Sequence, residues 1–60
     1  MRIKGYYFND GNFTWICTAH YTVYTIANNT GEWAYRKLSK ERFMETLTEC
    51  TDFGEFVLKD

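Results

Sequence analysis

Aromatic side chains crowd the first half of this chain and limit what it can fold into. Twelve of the 60 residues are Phe, Tyr or Trp, and nine of them lie within the first 35 positions. A chain this short buries only about 60% of the surface that it exposes when unfolded, so its core is small. One buried ring removes roughly 150 to 250 Å² from water while ordering only two χ angles. We therefore expect most rings to build the core and the remainder to form a recognition surface.

Composition predicts one small domain over residues 1–60 and narrows the functional classes. Seven Lys and Arg against eight Asp and Glu give a net charge of −1, which argues against binding a phosphate backbone by bulk electrostatics. No apolar run approaches the roughly 18 residues of a membrane span, and the N-terminus has no apolar signal-peptide core. We expect a cytoplasmic protein in which Cys17 and Cys50 are reduced and largely buried.

Two segments rich in β-branched and aromatic residues predict an N-terminal hairpin. They cover residues 2–8 and 12–18 and flank an Asn-Asp-Gly sequence at residues 9–11, which favours a tight turn. A two-residue turn would bring the Lys4 amine into the aromatic cluster. A three-residue loop with Gly11 in the left-handed region keeps Lys4 out of that cluster, and this is the register that we predict.

The predicted register gives the hairpin two faces, because alternate side chains of a strand point to opposite sides of the sheet. The face expected to pack into the core carries Ile3, Gly5, Tyr7, Phe13, Trp15, Cys17 and Ala19. The opposite face combines basic, aromatic and aliphatic side chains. Its members with binding chemistry form the first candidate surface, the sheet patch: Arg2, Lys4, Tyr6, Phe8 and Ile16.

A second hairpin is predicted over residues 21–27 and 32–38, with Gly31 at positive φ in a four-residue loop. This loop length fixes the predicted pairs, which are Tyr24 with Tyr35 and Ile26 with Trp33.

The connection between the two hairpins is predicted to bend. Apolar residues occupy odd positions in the second strand and even positions in the third, which indicates a break in phase between Ala19 and Tyr21. Because this segment has no Gly or Pro, we expect a β-bulge or sharp bend around His20, within one long bent ribbon over residues 13–27.

The periodicity then becomes helical. Ser39 is the predicted N-cap, Glu41 lies in the first turn, and Leu38 is placed to pack against Phe43 as a hydrophobic staple. The core stripe of the helix is predicted from residues at three- and four-residue spacing: Phe43, Met44, Leu47 and Cys50.

A final edge strand is predicted over residues 55–59, after a helix end at residues 51–54. The fold class is therefore α+β, in the order ββββαβ: a small antiparallel sheet of two hairpins plus a C-terminal edge strand, packed on one helix. One helix covers only one face of such a sheet. The other face must meet solvent, a partner, or the sheet itself if the sheet curls.

An acidic row on the outer side of the helix is the second candidate surface. Glu41, Glu45 and Glu49 repeat every four residues. Like charges at this spacing cost a few tenths of a kcal/mol per pair, so the row does not stabilise the helix. Such a row suits contact with a basic groove on a protein.

The residues offer little for catalysis. A single histidine and two distant cysteines do not have metal-ligand spacing, and no phosphate-binding glycine loop is present. We therefore predict no enzyme, no metal site and no cofactor. The predicted function is a non-enzymatic protein-binding module that occludes a surface on a larger target, of the kind that phages and mobile elements encode as inhibitors or adaptors. Two alternatives stay open: a single-stranded nucleic-acid binder that uses the sheet patch, and a structural homo-oligomer that hides the second sheet face.

Overall fold

The computed structural model describes residues 1–59, which form five strands and one helix. In chain order the elements are β1 (Arg2–Asn9), β2 (Phe13–Cys17), β3 (Thr22–Ala27), β4 (Trp33–Lys37), α1 (Lys40–Glu49) and β5 (Asp52–Val57). All neighbouring strands are antiparallel, in the sheet order β4-β3-β2-β1-β5. The predicted α+β class and the order ββββαβ are confirmed. Among the described residues, no helix has the length and apolar character needed to cross a membrane.

The first hairpin is paired three positions away from the predicted register. Phe8 pairs with Trp15, and Tyr6 pairs with Cys17. A shift by an odd number of residues changes which side chains of the two strands share a face. The predicted faces are therefore wrong: Trp15 and Cys17 lie on the same side of the sheet as Tyr6 and Phe8, and Ile16 lies on the other side.

The Asp10 side chain explains this shift. Its Oδ1 atom accepts the backbone N–H groups of Asn12 (2.8 Å) and Phe13 (2.7 Å), while its Oδ2 atom accepts the Trp15 indole N–H at 2.9 Å. Gly11 has the predicted positive φ, at 100°. One carboxylate thus closes the turn and holds Trp15 beside it, in a register that loop length alone does not specify.

The predicted continuous ribbon between the second and third strands is instead a tight hairpin. The chain reverses at His20 and Tyr21, which both have φ of 61°. The Thr22 N–H donates to the Ala19 carbonyl at 3.3 Å, and the Thr18 N–H donates to the Thr22 carbonyl at 2.9 Å. Because Thr22 opposes two residues, the turn contains a bulge. The sharp bend predicted at His20 is confirmed. The prediction of one continuous bent ribbon over residues 13–27 is wrong.

Both faces of β2 and β3 are apolar, which is why the pattern suggested a break in phase. Cys17 pairs with Val23 on the face that α1 covers, while Ile16 pairs with Tyr24 on the opposite face. Apolar residues thus occupy odd positions in β2 and even positions in β3 because both faces of this hairpin are buried, and not because the chain changes phase.

The second hairpin has the predicted register. Tyr24 pairs with Tyr35, and Ile26 pairs with Trp33. Gly31 has φ of 79°, the positive value expected for the end of a four-residue loop. Loop length and one glycine were sufficient to determine this hairpin.

Helix α1 begins as predicted. The Ser39 hydroxyl accepts the Arg42 N–H at 3.3 Å, and Glu41 lies in the first turn. At the other end Cys50 is the C-cap, and its N–H donates to the Leu47 carbonyl at 3.1 Å. After this cap the chain enters β5 at Asp52, three residues before the predicted start of the strand at residue 55.

The core stripe of α1 is narrower than predicted. Phe43 is buried, and Leu47 and Cys50 pack against the same cluster. Met44 is 47% exposed, so its predicted place in the core is wrong. The short helix turns only one edge of its apolar stripe toward the sheet.

The face opposite α1 has its own apolar layer. Ile16 there is fully buried, although no helix within residues 1–59 lies above it. The aromatic contacts of this layer are Tyr7 with Phe56, Tyr24 with Trp33, and Tyr24 with Tyr35. The Trp33 indole N–H donates to the Lys59 carbonyl at 2.6 Å, which joins the β4 edge to the chain after β5 at the other edge. The sheet therefore curls over this face.

Candidate functional site

The structure divides the predicted sheet patch. By strand alternation, Arg2, Lys4, Tyr6 and Phe8 lie on the face that carries α1. Ile16 lies on the opposite face and has 0% of its surface exposed. Ile16 is therefore a core residue, and its assignment to the sheet patch is corrected by the observed register.

Phe8 lies apart from the rest of the patch. Its ring stacks on Trp15, with centroids 6.0 Å apart and planes 6° from parallel. This pair borders a shallow depression that Arg42, Glu45 and Glu49 of α1 also line. Phe8 is thus adjacent to the acidic row, and the two predicted surfaces meet there.

Tyr6 belongs to an exposed aromatic pair. It faces Phe53 across the β1–β5 ladder, and the rings make an edge-to-face contact with centroids 4.9 Å apart. Tyr6 is 53% exposed and Phe53 is 60% exposed. Aromatic rings left this open are typical anchors of protein interfaces. The sequence pattern did not assign Phe53 to any surface, because its pairing with Tyr6 depends on contact between the two ends of the chain.

An open groove of about 310 Å³ adjoins this pair. We call it the aromatic groove, and its exposed and aromatic lining residues are Lys4, Tyr6, His20, Tyr21, Phe43 and Phe53. Tyr21 is also exposed, and its ring meets Phe43 edge-to-face at 5.5 Å. The groove therefore combines a mostly apolar lining with one amine and one imidazole.

The turn beside the groove has a strained backbone. His20 and Tyr21 both adopt positive φ, a region that Asn and Gly occupy more readily than a bulky residue does. Each such residue costs about 1 to 3 kcal/mol, and strain of this kind concentrates at functional sites. Here it holds the Tyr21 ring against Phe43 at the groove. No sequence signal indicated this conformation, because the usual turn residues are missing.

Charge around β1 is more balanced than the sequence suggested. Arg2 Nη1 lies 3.2 Å from Glu55 Oε1 in an exposed ion pair. Glu55 is also the cross-strand neighbour of Lys4. An exposed pair like this contributes at most about 1 kcal/mol to stability. Its larger effect is to reduce the positive potential that a phosphate backbone would require.

The acidic row remains on the surface. Glu41, Glu45 and Glu49 are all exposed on α1. Arg42 lies between them in the sequence and beside the Phe8 ring in space. The row is accessible to a partner at its C-terminal end, where it borders aromatic surface.

The two cysteines lie close together at the C-terminal end of α1. Their sulfur atoms are 3.8 Å apart, and both are free thiols. Burial, followed by the Cys50 thiol, raises the pKa of Cys17 to about 12. Burial also raises the pKa of Cys50. Both side chains therefore remain protonated at neutral pH and are weak nucleophiles.

Similarity to known proteins does not assign this chain to a family. Comparison with protein-family models, with curated proteins and with solved structures finds no match. The geometry of the described residues must therefore identify the site, and the aromatic groove is the strongest candidate because exposed rings and backbone strain coincide there.

Proposed function

We propose that this protein is a non-enzymatic binding module that occludes a surface on a larger protein, as a small inhibitor or adaptor does, and that the aromatic groove is its contact site. The observation that carries the proposal is the exposure of Tyr6, Tyr21 and Phe53 around one groove. A 60-residue chain has few large side chains to leave uncovered. Rings exposed together are therefore best explained by a partner that covers them.

The ring contacts also favour tight binding. Tyr6 and Phe53 support one another edge-to-face, and Phe43 supports Tyr21 in the same way. Side chains that are already held in place lose less conformational entropy when a partner binds. The groove is open rather than enclosed, which suits a protruding apolar or aromatic side chain of a protein better than a small ligand that must be surrounded.

The acidic row supplies a second contact in this proposal. Glu45 and Glu49 lie beside the Phe8–Trp15 stack, so a basic segment on the partner would meet carboxylates and ring surface together. Exposed charges of this kind mainly speed association and select the partner. We expect them to contribute less affinity than the groove.

Nucleic-acid binding is the second candidate function, and the charge distribution favours it less. The rings at the groove would stack on bases. However, Glu55 pairs with Arg2 and lies opposite Lys4, so few cations are left to neutralise phosphates. Binding to single-stranded oligonucleotides that weakens steeply as salt rises would support this alternative instead.

Affinity capture from the organism that encodes the chain tests the proposal. Tyr6→Ser combined with Phe53→Ser should weaken binding of the captured protein by about 30-fold or more, because even one interface anchor contributes about 2 kcal/mol or more. The matched control is Tyr35→Ser, a ring that is 65% exposed on the other sheet face. That control should bind like the wild type.

Two other outcomes would redirect or reject the proposal. In a charge-reversal variant, Lys replaces Glu41, Glu45 and Glu49. If this variant is not captured while the groove variant binds normally, the contact site is the acidic row. If no discrete protein is captured by the wild-type chain, the protein-binding function is rejected.

The strained turn gives an independent prediction. Replacing His20 and Tyr21 by Asn and Gly supplies residues that accept positive φ. The free energy of unfolding should therefore rise by about 1 kcal/mol or more relative to Tyr21→Ala, which loses the same ring contact with Phe43 but keeps the strained turn. Partner affinity should fall because the Tyr21 ring is lost from the groove. The comparison variant His20→Asn removes the imidazole from the groove but keeps the Tyr21 ring, so it should gain stability and lose less affinity than the double variant. Equal affinity for both variants would remove Tyr21 from the contact site.

A further inference from the structure

The cysteine pair lies where a covalent bond would connect the sheet to the helix. Cys17 ends β2, Cys50 caps α1, and their sulfur atoms are 3.8 Å apart although 33 positions separate them in the chain. The Cys50 thiol is oriented toward both the Cys17 sulfur and the Thr46 carbonyl, 3.6 Å away. Folding therefore brings the two thiols together.

We propose that Cys17 and Cys50 form an oxidisable dithiol site, which reacts with low-molecular-weight disulfides such as glutathione disulfide to give an intramolecular disulfide. A sulfur–sulfur bond is about 2.05 Å long, so the two sulfur atoms need to approach by less than about 2 Å. Cys50 lies after the last helical residue in an extended conformation, with φ of −70° and ψ of 136°. Its side chain can therefore move without breaking the hydrogen bonds of α1.

The reaction consists of two thiol–disulfide exchanges. Cys50, the less buried thiol, releases its proton to solvent, and its thiolate attacks one sulfur of glutathione disulfide. That S–S bond breaks, and the departing glutathione thiolate takes up a proton. Cys17 then loses its proton and attacks the Cys50 sulfur of the mixed disulfide, which releases the second glutathione. Two protein thiols are oxidised, and one disulfide is reduced to two glutathione molecules.

Burial sets the speed of this reaction. The pKa of each thiol is raised, so only a small fraction of thiolate exists at neutral pH. We therefore expect slow oxidation that accelerates with rising pH. Such a site responds to a lasting change in redox conditions rather than to a brief one.

The bond would also fix the groove. Cys17 and Leu47 both line the aromatic groove, and Cys50 follows Leu47 by less than one helical turn. Oxidation would hold the end of α1 against β2 beside the partner-binding surface. This consequence rests on the proposed function, whereas the formation of the disulfide does not.

Glutathione redox buffers test the proposal on the full chain without any partner. At a fixed glutathione concentration, the native protein should form the disulfide, with the loss of two hydrogen atoms in its mass, at a glutathione disulfide concentration at least about tenfold lower than the urea-denatured chain requires, because folding holds the thiols together. The thermodynamic cycle then requires the oxidised protein to resist urea better than the reduced one. A native chain that needs more oxidant than the denatured chain would overturn the proposal.

Single-cysteine variants separate the two steps. Cys17→Ser should stop at a mixed disulfide that adds one glutathione to Cys50, and Cys50→Ala should leave the buried Cys17 largely unmodified. If the wild-type chain also stops at the glutathione adduct, the intramolecular bond does not form and the proposal is wrong. The comparison of native and denatured wild-type protein decides the question even where a variant does not fold.

Discussion

The two faces of the sheet bury their apolar side chains by different means. On one face, α1 lies over Val23 and packs Phe43 against it. On the other face no helix is present among residues 1–59, yet Ile16 is as completely buried as Val23. Sheet curvature and aromatic rings cover Ile16, and the contact between Trp33 and Lys59 closes the layer. A short chain thus replaces a second helix with flat side chains.

The comparison explains where the exposed rings occur. A ten-residue helix is about 15 Å long, whereas five strands at about 4.8 Å spacing span roughly 19 Å. Helix α1 packs on β1 and β2, so both edge strands, β4 and β5, lie outside this contact. Phe53 of β5 and its neighbour Tyr6 lie toward the β5 edge. The candidate site is therefore the part of the helical face that the helix is too small to cover.

The largest expected effect tests whether the face without a helix is a true core. Ile16→Ala should lower the free energy of unfolding by about 2 to 5 kcal/mol, because it leaves a cavity in a packed layer. A chain of this length is stable by only about 3 to 9 kcal/mol. Urea denaturation measures the change. Met44→Ala on the exposed side of α1 should stay within about 0.5 kcal/mol of the wild type, and an equally mild Ile16→Ala would contradict a core on this face.

The next effect concerns the tight approach of β1 to β2. A Cβ atom at Gly5 would collide with the Cys17 carbonyl oxygen and lie 3.0 Å from Ile16 Cγ2. Because one of these atoms belongs to the backbone, Gly5→Ala should cost about 1 to 3 kcal/mol or more in urea denaturation. Gly54→Ala is the matched control on β5, since its nearest neighbour is a Tyr7 ring carbon at 3.3 Å. A milder effect at Gly5 than at Gly54 would show that the strands separate easily.

The elements that could be predicted from the sequence depend on local interactions. Ser39 caps α1 through the N–H of Arg42, three residues away, and the loop that ends at Gly31 sets the pairing of Tyr24 with Tyr35. Both follow from residues close together in the chain. Local propensity is sufficient where the competing arrangements are few.

The errors arise where a distant or unusual interaction decides the structure. Asp10 selects the first hairpin register by binding Trp15, a contact that turn preferences do not include. Positive φ at two consecutive residues without Gly or Asn is unusual, and at Tyr21 it contradicts the preference of a bulky side chain. Phe53 joins the candidate site only because β5 pairs with β1. The site was therefore harder to predict than the fold.

A smaller effect is expected at the closure of the face without a helix. Trp33→Phe removes the indole N–H that donates to the Lys59 carbonyl, and one such bond contributes about 1 kcal/mol. Hydrogen exchange of the Leu58 amide, which donates to the Met1 carbonyl, should become faster because the neighbouring chain is less restrained. Tyr35→Phe serves as the control. Unchanged exchange in Trp33→Phe would show that the curl does not depend on this contact.

The smallest expected effect concerns the two tryptophans, whose indole N–H groups donate to different kinds of acceptor. Trp15 on the helical face donates to the Asp10 carboxylate, and Trp33 on the other face donates to a neutral carbonyl. The N–H groups of Phe13, Trp15 and Asn12, in that order of effect, lower the pKa of Asp10 below its ordinary value. Of these two tryptophan contacts, only the one on the helical face should therefore respond to acid.

The sign of this response follows from the lowered pKa. The Asp10 carboxylate contributes stability above its unfolded pKa of about 3.9, and that contribution disappears as pH falls through the lower folded value. The stability difference between wild type and Asp10→Asn should thus be constant above about pH 5 and shrink below about pH 4. Urea denaturation across this range measures it, with the Trp15 indole N–H resonance as a local probe. If the stability difference between wild type and Asp10→Asn persists below the folded pKa of Asp10, the substituted amide destabilises the turn through its geometry and not through the lost charge. The two tryptophan contacts would then not differ in their dependence on charge.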